Sequence, residues 1–115
     1  MSTDCIFCKI IEGQIPSKKV YEDDMVYAFH DISPAAPVHI LLIPKKHISS
    51  AMELELADME YVKQIHLAAQ KIAKQLGIDE KGFRIVNNCG KDGGQTVSHL
   101  HYHLLGGRNL NWPPG

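Results

Sequence analysis

Three of the chain's seven histidines fall within five positions, at His99, His101 and His103, and Leu100, Tyr102 and Leu104 alternate with them. In an extended strand this period of two sends the imidazoles to one face and the apolar side chains to the other. Neighbouring rings then lie about 6 to 7 Å apart, near enough to share a ligand or a proton network. Imidazole, with an unperturbed pKa of about 6.5, is mostly neutral at pH 7 and can serve as nucleophile, base or metal ligand. Crowding three rings disfavours protonating all of them. A wet strand face that carries histidines for no chemical reason is the alternative, and three rings in phase fit it poorly.

Other residues suit the same chemistry. Gly93-Gly94-Gln95-Thr96 offers flexible backbone whose N–H groups can approach phosphate oxygens, three residues before the first imidazole. It lacks the Gly-Lys-Ser/Thr ending of a P-loop, and a simple turn is the competing reading. Asp31, between His30 and Ile32, can accept hydrogen bonds from vicinal hydroxyls or stand as a solvated loop carboxylate. Ile6, Phe7, Ile10, Phe29 and Ile32 read as core or as walls around a purine ring. His39 interrupts an apolar run and therefore needs a partner. Cys5 and Cys8 have C-x-x-C spacing, which suits half of a tetrahedral zinc site or two free thiols on a short helix.

The elements that must position these groups are also legible. Asp4 reads as the cap of a two-turn helix over Cys5 to Ile11 that Gly13 stops. Val20 to Glu22 and Met25 to Phe29 read as a hairpin, Val38 to Ile43 as a buried central strand, and Phe83 to Asn87 as a further strand. Ser50 to Glu53 matches a capping box and marks a short helix start. From Asp58, the stripe Val62, Ile65, Ala69, Ile72 and Leu76 predicts a helix of about five turns, with Gly77 as its stop. His66 sits at the edge of that stripe as a structural or surface residue. Strands on both sides of one long helix predict an α+β domain over 1–115: an antiparallel sheet of about five strands with one long and one short helix, the helices on one face. The histidine strand should lie beside the one that carries His39.

Composition limits the function. The chain has 115 residues, 44% of them hydrophobic, and a net charge of −1. That charge gives no long-range attraction to a polyanion, so nucleic acid is disfavoured as a partner while a pocket-bound nucleotide is not. No stretch approaches a membrane span, and no secretory signal pattern opens the chain. Three cysteines, an odd number, argue against a disulfide framework and for a cytoplasmic location.

These motifs, taken together, resemble the histidine triad nucleotide-binding branch of the histidine triad (HIT) superfamily. The resemblance rests on Ile-Phe-x-Lys-Ile-Ile at 6–11, Ala-Phe-His-Asp-Ile-Ser-Pro at 28–34, Ala-Pro-x-His at 36–39 and Ile-Pro-Lys-Lys-His-Ile at 43–48. Asp-Gly-Gly-Gln at 92–95, the triad, Leu-Gly-Gly-Arg at 105–108 and Trp-Pro-Pro-Gly at 112–115 complete it. It implies a HIT-like fold and hydrolysis of purine nucleoside 5′-phosphoramidates, with no cofactor required for catalysis. His101 would be the nucleophile and form a nucleotidyl-histidine, with His39, His99 and His103 around it. Asn88, Gln95 and Thr96 would hold phosphate oxygens, and Asp31 the ribose hydroxyls. Ile6, Phe7, Ile10, Phe29 and Ile32 would line the base pocket. It also implies a homodimer in which Trp112 completes the partner's pocket, and a structural zinc on Cys5, Cys8, His47 and His99. Dinucleotide hydrolysis or nucleotidyl transfer is the neighbouring enzymatic alternative, and a nucleotide-binding or zinc-clipped interaction protein the non-enzymatic one. Thr96 stands where the family commonly has serine, Asn87 is unexpectedly polar, and Cys89 belongs to neither scheme.

Overall fold

Central strands buried on both faces, flanked by half-exposed edge strands, build a two-sided sheet. The computed structural model describes residues 4–115. Among them five strands, β1 (Lys19–Glu22), β2 (Val26–His30), β3 (Val38–Pro44), β4 (Phe83–Asn87) and β5 (Tyr102–Gly106), form one antiparallel sheet in the order β1-β2-β3-β5-β4. As expected, β5 pairs with β3, and Leu41 faces His103 across the ladder. The architecture is the α+β class read from the sequence.

One face of the sheet, made by Val26, Ala28, Ile40, Leu42 and Leu104, is covered by the long helix α2 (Met59–Gln75). Ile65, Ala69 and Ile72 of the expected stripe are buried there with Ala68 and Ala73, while Val62 and Leu76 are half-buried at its ends. Gly77, with φ +74°, takes the left-handed turn that ends it.

The other face carries Tyr27, Phe29, Leu41 and Ile43, and the short helix α1 (Ile6–Ile11) packs there through Phe7, Cys8 and Ile10. The two helices therefore lie on opposite faces, not on one. A sheet whose central strand β3 is buried along both faces needs a cover on each side. Two cap assignments also change. The Cys5 thiolate or thiol sulfur, rather than Asp4, accepts the Cys8 amide at the start of α1 (3.3 Å). The Ser50 side chain makes no cap bond, and residues 51–53 form only a 3-10 turn. The reciprocal box is instead Glu55 with Asp58, where α2 begins. The buried Asp58 carboxylate also accepts from Lys46 (2.6 Å), which ties the Lys45-Lys46-His47 turn to that helix start.

The triad segment departs from an ideal strand. Pairing begins only at Tyr102, because the Leu100 amide donates to the Ile48 carbonyl (2.6 Å) instead of entering the ladder. His101 and His103 still share the α1 side of the sheet. His99 leaves the row and points its ring into a separate cluster.

Candidate active site and metal cluster

Four imidazoles are held in orientations that fix where their protons sit. A carbonyl can only accept, so the 2.7 Å contact from His101 Nδ1 to the His99 oxygen places the His101 proton on Nδ1 and leaves the lone pair on Nε2. His39 Nδ1 accepts from the Ala35 amide (2.9 Å), so its proton is on Nε2 and is donated to His103 Nδ1 (2.8 Å). His103 must then carry its own proton on Nε2. That nitrogen is the one buried side-chain polar atom without a partner among the described residues. The result is a polarised row from the Ala35 N–H through His39 and His103 that ends in an unpaired donor. Its ring lies edge-on to His101, with centroids 5.2 Å apart.

Burial favours the neutral form of His103 and His39. It pushes His103 down to about 4, helped by the neighbouring His101 and His39 and opposed by Asp31. His39 is lowered by burial as well, against the pull of the Asp31 carboxylate 3.4 Å from its Nε2. His39 and His103 are therefore neutral at pH 7, as the sequence suggested for crowded rings.

His101 and His103 open on a cleft of about 400 Å³ that Ile6, Phe7, Ile10, Phe29, Asp31, Ile32 and Thr96 also line. Nearly all of the expected pocket residues thus meet around the expected nucleophile. Phe7 and Ile10 form the buried floor, whereas Ile6 (45% exposed) and Ile32 (97% exposed) stand at the rim. A larger cavity of about 680 Å³ opens by Lys81, Arg84 and Arg108, but no histidine lines it. The ring with the free lone pair, His101, opens on the smaller cleft, and His30, Asp31 and His39 also line a neighbouring cleft of about 590 Å³.

Two expected contacts, Gln95 and Asn88, fall elsewhere. Gln95 uses its amide to donate to the Ser49 and Val97 carbonyls and to accept from the Gly90 amide, so it braces the 88–97 loop rather than facing the cleft. Asn88 is half-buried outside the cleft lining. Trp112 is 79% exposed, lies over the Arg84 guanidinium (5.9 Å), and takes no part in the cleft of its own chain. Sequence reasoning missed the roles of Ala35 and Asn87. The Asn87 side chain donates to the His101 carbonyl (2.9 Å), which explains a polar residue at the end of an apolar strand. Leu41 and Val97 also line the cleft without having been singled out.

The second cluster joins Cys5, Cys8, His47 and His99, whose ligand atoms all lie within 4.8 Å of one another. His99 Nδ1 is 3.3 Å from Cys5 Sγ, 3.6 Å from Cys8 Sγ and 3.2 Å from His47 Nδ1, and His47 Nδ1 is 3.3 Å from Cys8 Sγ. Ligands on a tetrahedral zinc, at bond lengths of 2.0 to 2.3 Å, sit about 3.3 to 3.8 Å from each other. The proton inventory agrees: His99 Nε2 donates to the Pro44 carbonyl (3.0 Å), so Nδ1 presents a lone pair to the cluster. Burial pushes His99 down to about 4, with the Pro44 carbonyl opposing and His47 and His101 assisting. It pushes the Cys8 thiol up to about 11, together with the adjacent Cys5.

Asp31, His39 and His103 form another group of potential ligands. They do not fit a metal. The 2.8 Å between His39 Nε2 and His103 Nδ1 is a hydrogen bond, and the Ala35 amide already occupies the His39 lone pair. The chain thus has one donor set shaped for a cation and another shaped for an acceptor.

The HIT domain family matches residues 12–110. Among curated relatives, the 14 kDa zinc-binding protein of Brassica juncea is 52% identical over 97% of this chain and 100% of its own length. Adenylylsulfatase HINT1 of Arabidopsis thaliana is 50% identical over 96% of this chain and 76% of its own. Solved structures include a histidine triad protein from Clostridium difficile (56% identity, TM-score 0.94, 96% of each chain). A HIT family hydrolase from Legionella pneumophila Philadelphia 1 (48% identity, TM-score 0.95) covers 97% of this chain and is itself covered completely. On the histidine cluster, the fold that holds it and these likenesses, the chain belongs to the histidine triad (HIT) family, within its histidine triad nucleotide-binding branch.

Proposed function

We propose that the protein is a nucleotide hydrolase that cleaves purine nucleoside 5′-phosphoramidates in two displacements at the α-phosphorus. In the first, His101 Nε2 forms a bond to phosphorus, the P–N bond breaks with its electron pair on nitrogen, and the amine leaves with a proton taken from solvent. In the second, water attacks phosphorus and releases a proton to solvent, the P–N bond to His101 breaks, and the free nucleotide departs. The single observation that carries this reading is the His101 Nδ1 bond to the His99 carbonyl, which leaves a neutral Nε2 lone pair on a ring that lines the cleft. The unpaired His103 Nε2–H supports it, because a buried donor beside a nucleophile suits a phosphoryl oxygen or a leaving atom. Asp31 and Thr96 line the same cleft, on hand for ribose hydroxyls and phosphate oxygens. Positioning and charge stabilisation carry most of such a reaction. The name of the Arabidopsis relative favours a second leaving group on the same path, sulfate from adenylylsulfate.

Zinc is the cation we assign to Cys5, Cys8, His47 and His99, and the name of the Brassica relative supports it. Four protein ligands leave no open position, so the ion supplies structural cross-linking and no chemistry at phosphorus. We also assign a homodimer. β4 is an edge strand, Phe83 on it is 38% exposed, and Trp112 has no pocket in its own chain.

The experiment is trapping. Protein mixed with adenosine 5′-phosphoramidate and quenched in base should show an added nucleotide mass on the His101 peptide. His101→Ala should abolish turnover and retain AMP binding, and full activity in that variant would remove the assigned nucleophile. Adenosine 5′-phosphosulfate in the same assay ranks the two leaving groups.

A further inference from the structure

We propose that Cys5, Cys8 and His47 are positioning residues for the nucleophile, acting on His101 through a single peptide unit. The inference rests on the nucleotidyl-histidine reading and deepens it. The peptide joining His99 to Leu100 is anchored at both ends. Its carbonyl accepts from His101 Nδ1 (2.7 Å), and its N–H donates to the Ile48 carbonyl (2.6 Å). A peptide is planar, so turning one end turns the other.

Both flanks of that plane belong to the cluster. The His99 ring is held between the Pro44 carbonyl at Nε2 and the cluster at Nδ1, while Ile48 directly follows His47. A second contact runs through α1. Phe7 lies between Cys5 and Cys8 and meets the His101 ring edge-on, with centroids 5.2 Å apart and planes at 84°. A filled cluster therefore fixes the carbonyl that keeps the His101 proton on Nδ1 and the aromatic edge that sets the ring's tilt. An emptied cluster leaves His99 held by Pro44, the Phe7 edge and weak thiol contacts in place of metal bonds, and lets the two His101 tautomers exchange.

Two spectroscopic measurements test this, each with a readout besides steady-state turnover. Histidine-selective ¹⁵N NMR of the zinc-loaded protein should show His101 as one Nδ1–H tautomer. In chelated wild type, and in Cys8→Ser, it should show exchange between tautomers, with single-turnover nucleotidylation slower by about 10-fold and AMP affinity within about threefold. If the emptied protein does not hold its fold, ¹¹³Cd-loaded wild type and His101→Ala provide the second reading. The coupling is reciprocal, so AMP should move the ¹¹³Cd resonance in wild type and leave it in place in His101→Ala. A His101 tautomer indifferent to the metal, or a resonance that AMP moves equally in both proteins or in neither, overturns the proposal. Absence of AMP binding to either protein would instead fail the nucleotide reading, and the NMR tautomer would still decide this one.

Discussion

At the scale of single residues, the site works by proton placement. Each histidine has one nitrogen committed to a fixed backbone or ring partner, and the function of the other nitrogen follows from that commitment. In His101 the free nitrogen is a base, and in His103 it is a donor. His103→Ala should therefore lower the rate of nucleotidylation by about 10²-fold, the usual cost of removing one donor to a developing anion. AMP affinity should change far less, which single-turnover kinetics beside a binding titration will show. His39→Ala should have a smaller effect in the same direction, because it removes the acceptor-donor link that orients His103 rather than the donor itself.

At the scale of elements, the two helices divide stability from chemistry. α2 covers a face that has no site residue, and Ile72 in its last turn is fully buried. Ile72→Ala should destabilise the fold by about 2 to 5 kcal/mol, through lost burial and the cavity left behind. Denaturant titration measures that loss, while kcat well below the melting range should stay near that of wild type. Helix α1, only six residues long, cannot stand alone and is held by Phe7, Ile10 and the Cys5 cap. Phe7→Ala should raise KM and also slow the chemical step, because one ring both walls the cleft and touches His101. A wall residue without the second contact, such as Ile6, should affect KM alone.

At the scale of the whole molecule, the buried neutral rings couple stability to pH. His103 is depressed to about 4 in the fold, against about 6.5 in an unfolded chain. Above about pH 6.5 both states hold the ring neutral, and it contributes no pH dependence. Below that, the unfolded chain takes the proton first, so stability falls as pH drops from about 6.5 towards about 4. His39, lowered for the same reason, adds to the slope. The melting temperature should decline steadily across this window, with a loss on the order of 2 kcal/mol from His103. In His103→Asn the decline should be shallower, and an unchanged slope in that variant would refute the assignment. Among the described residues no helix is long and apolar enough to cross a membrane.

Local order was legible in the sequence because it depends on near neighbours. Apolar runs bounded by turn residues marked β2, β3 and β4 almost to the residue, a 3.6-residue stripe marked α2, and Gly77 marked its end. The clustering of His99, His101 and His103 and the C-x-x-C pair identified the reactive groups without any coordinates. Tertiary structure alone decided what each group does, because that depends on partners remote in the chain. The Ile48 carbonyl draws the Leu100 amide out of the ladder, so His99 leaves the histidine row for the thiols of α1. Spacing left the two cysteines without their other ligands, since His47 and His99 lie 39 and 94 residues away from Cys8 and Cys5 respectively. The expectation that both helices share one face failed because β3 is buried on both sides and needs a cover on each. The proton on each imidazole is set by the Pro44 carbonyl, the Ala35 amide and the His99 carbonyl, backbone groups that carry no signature in residue type.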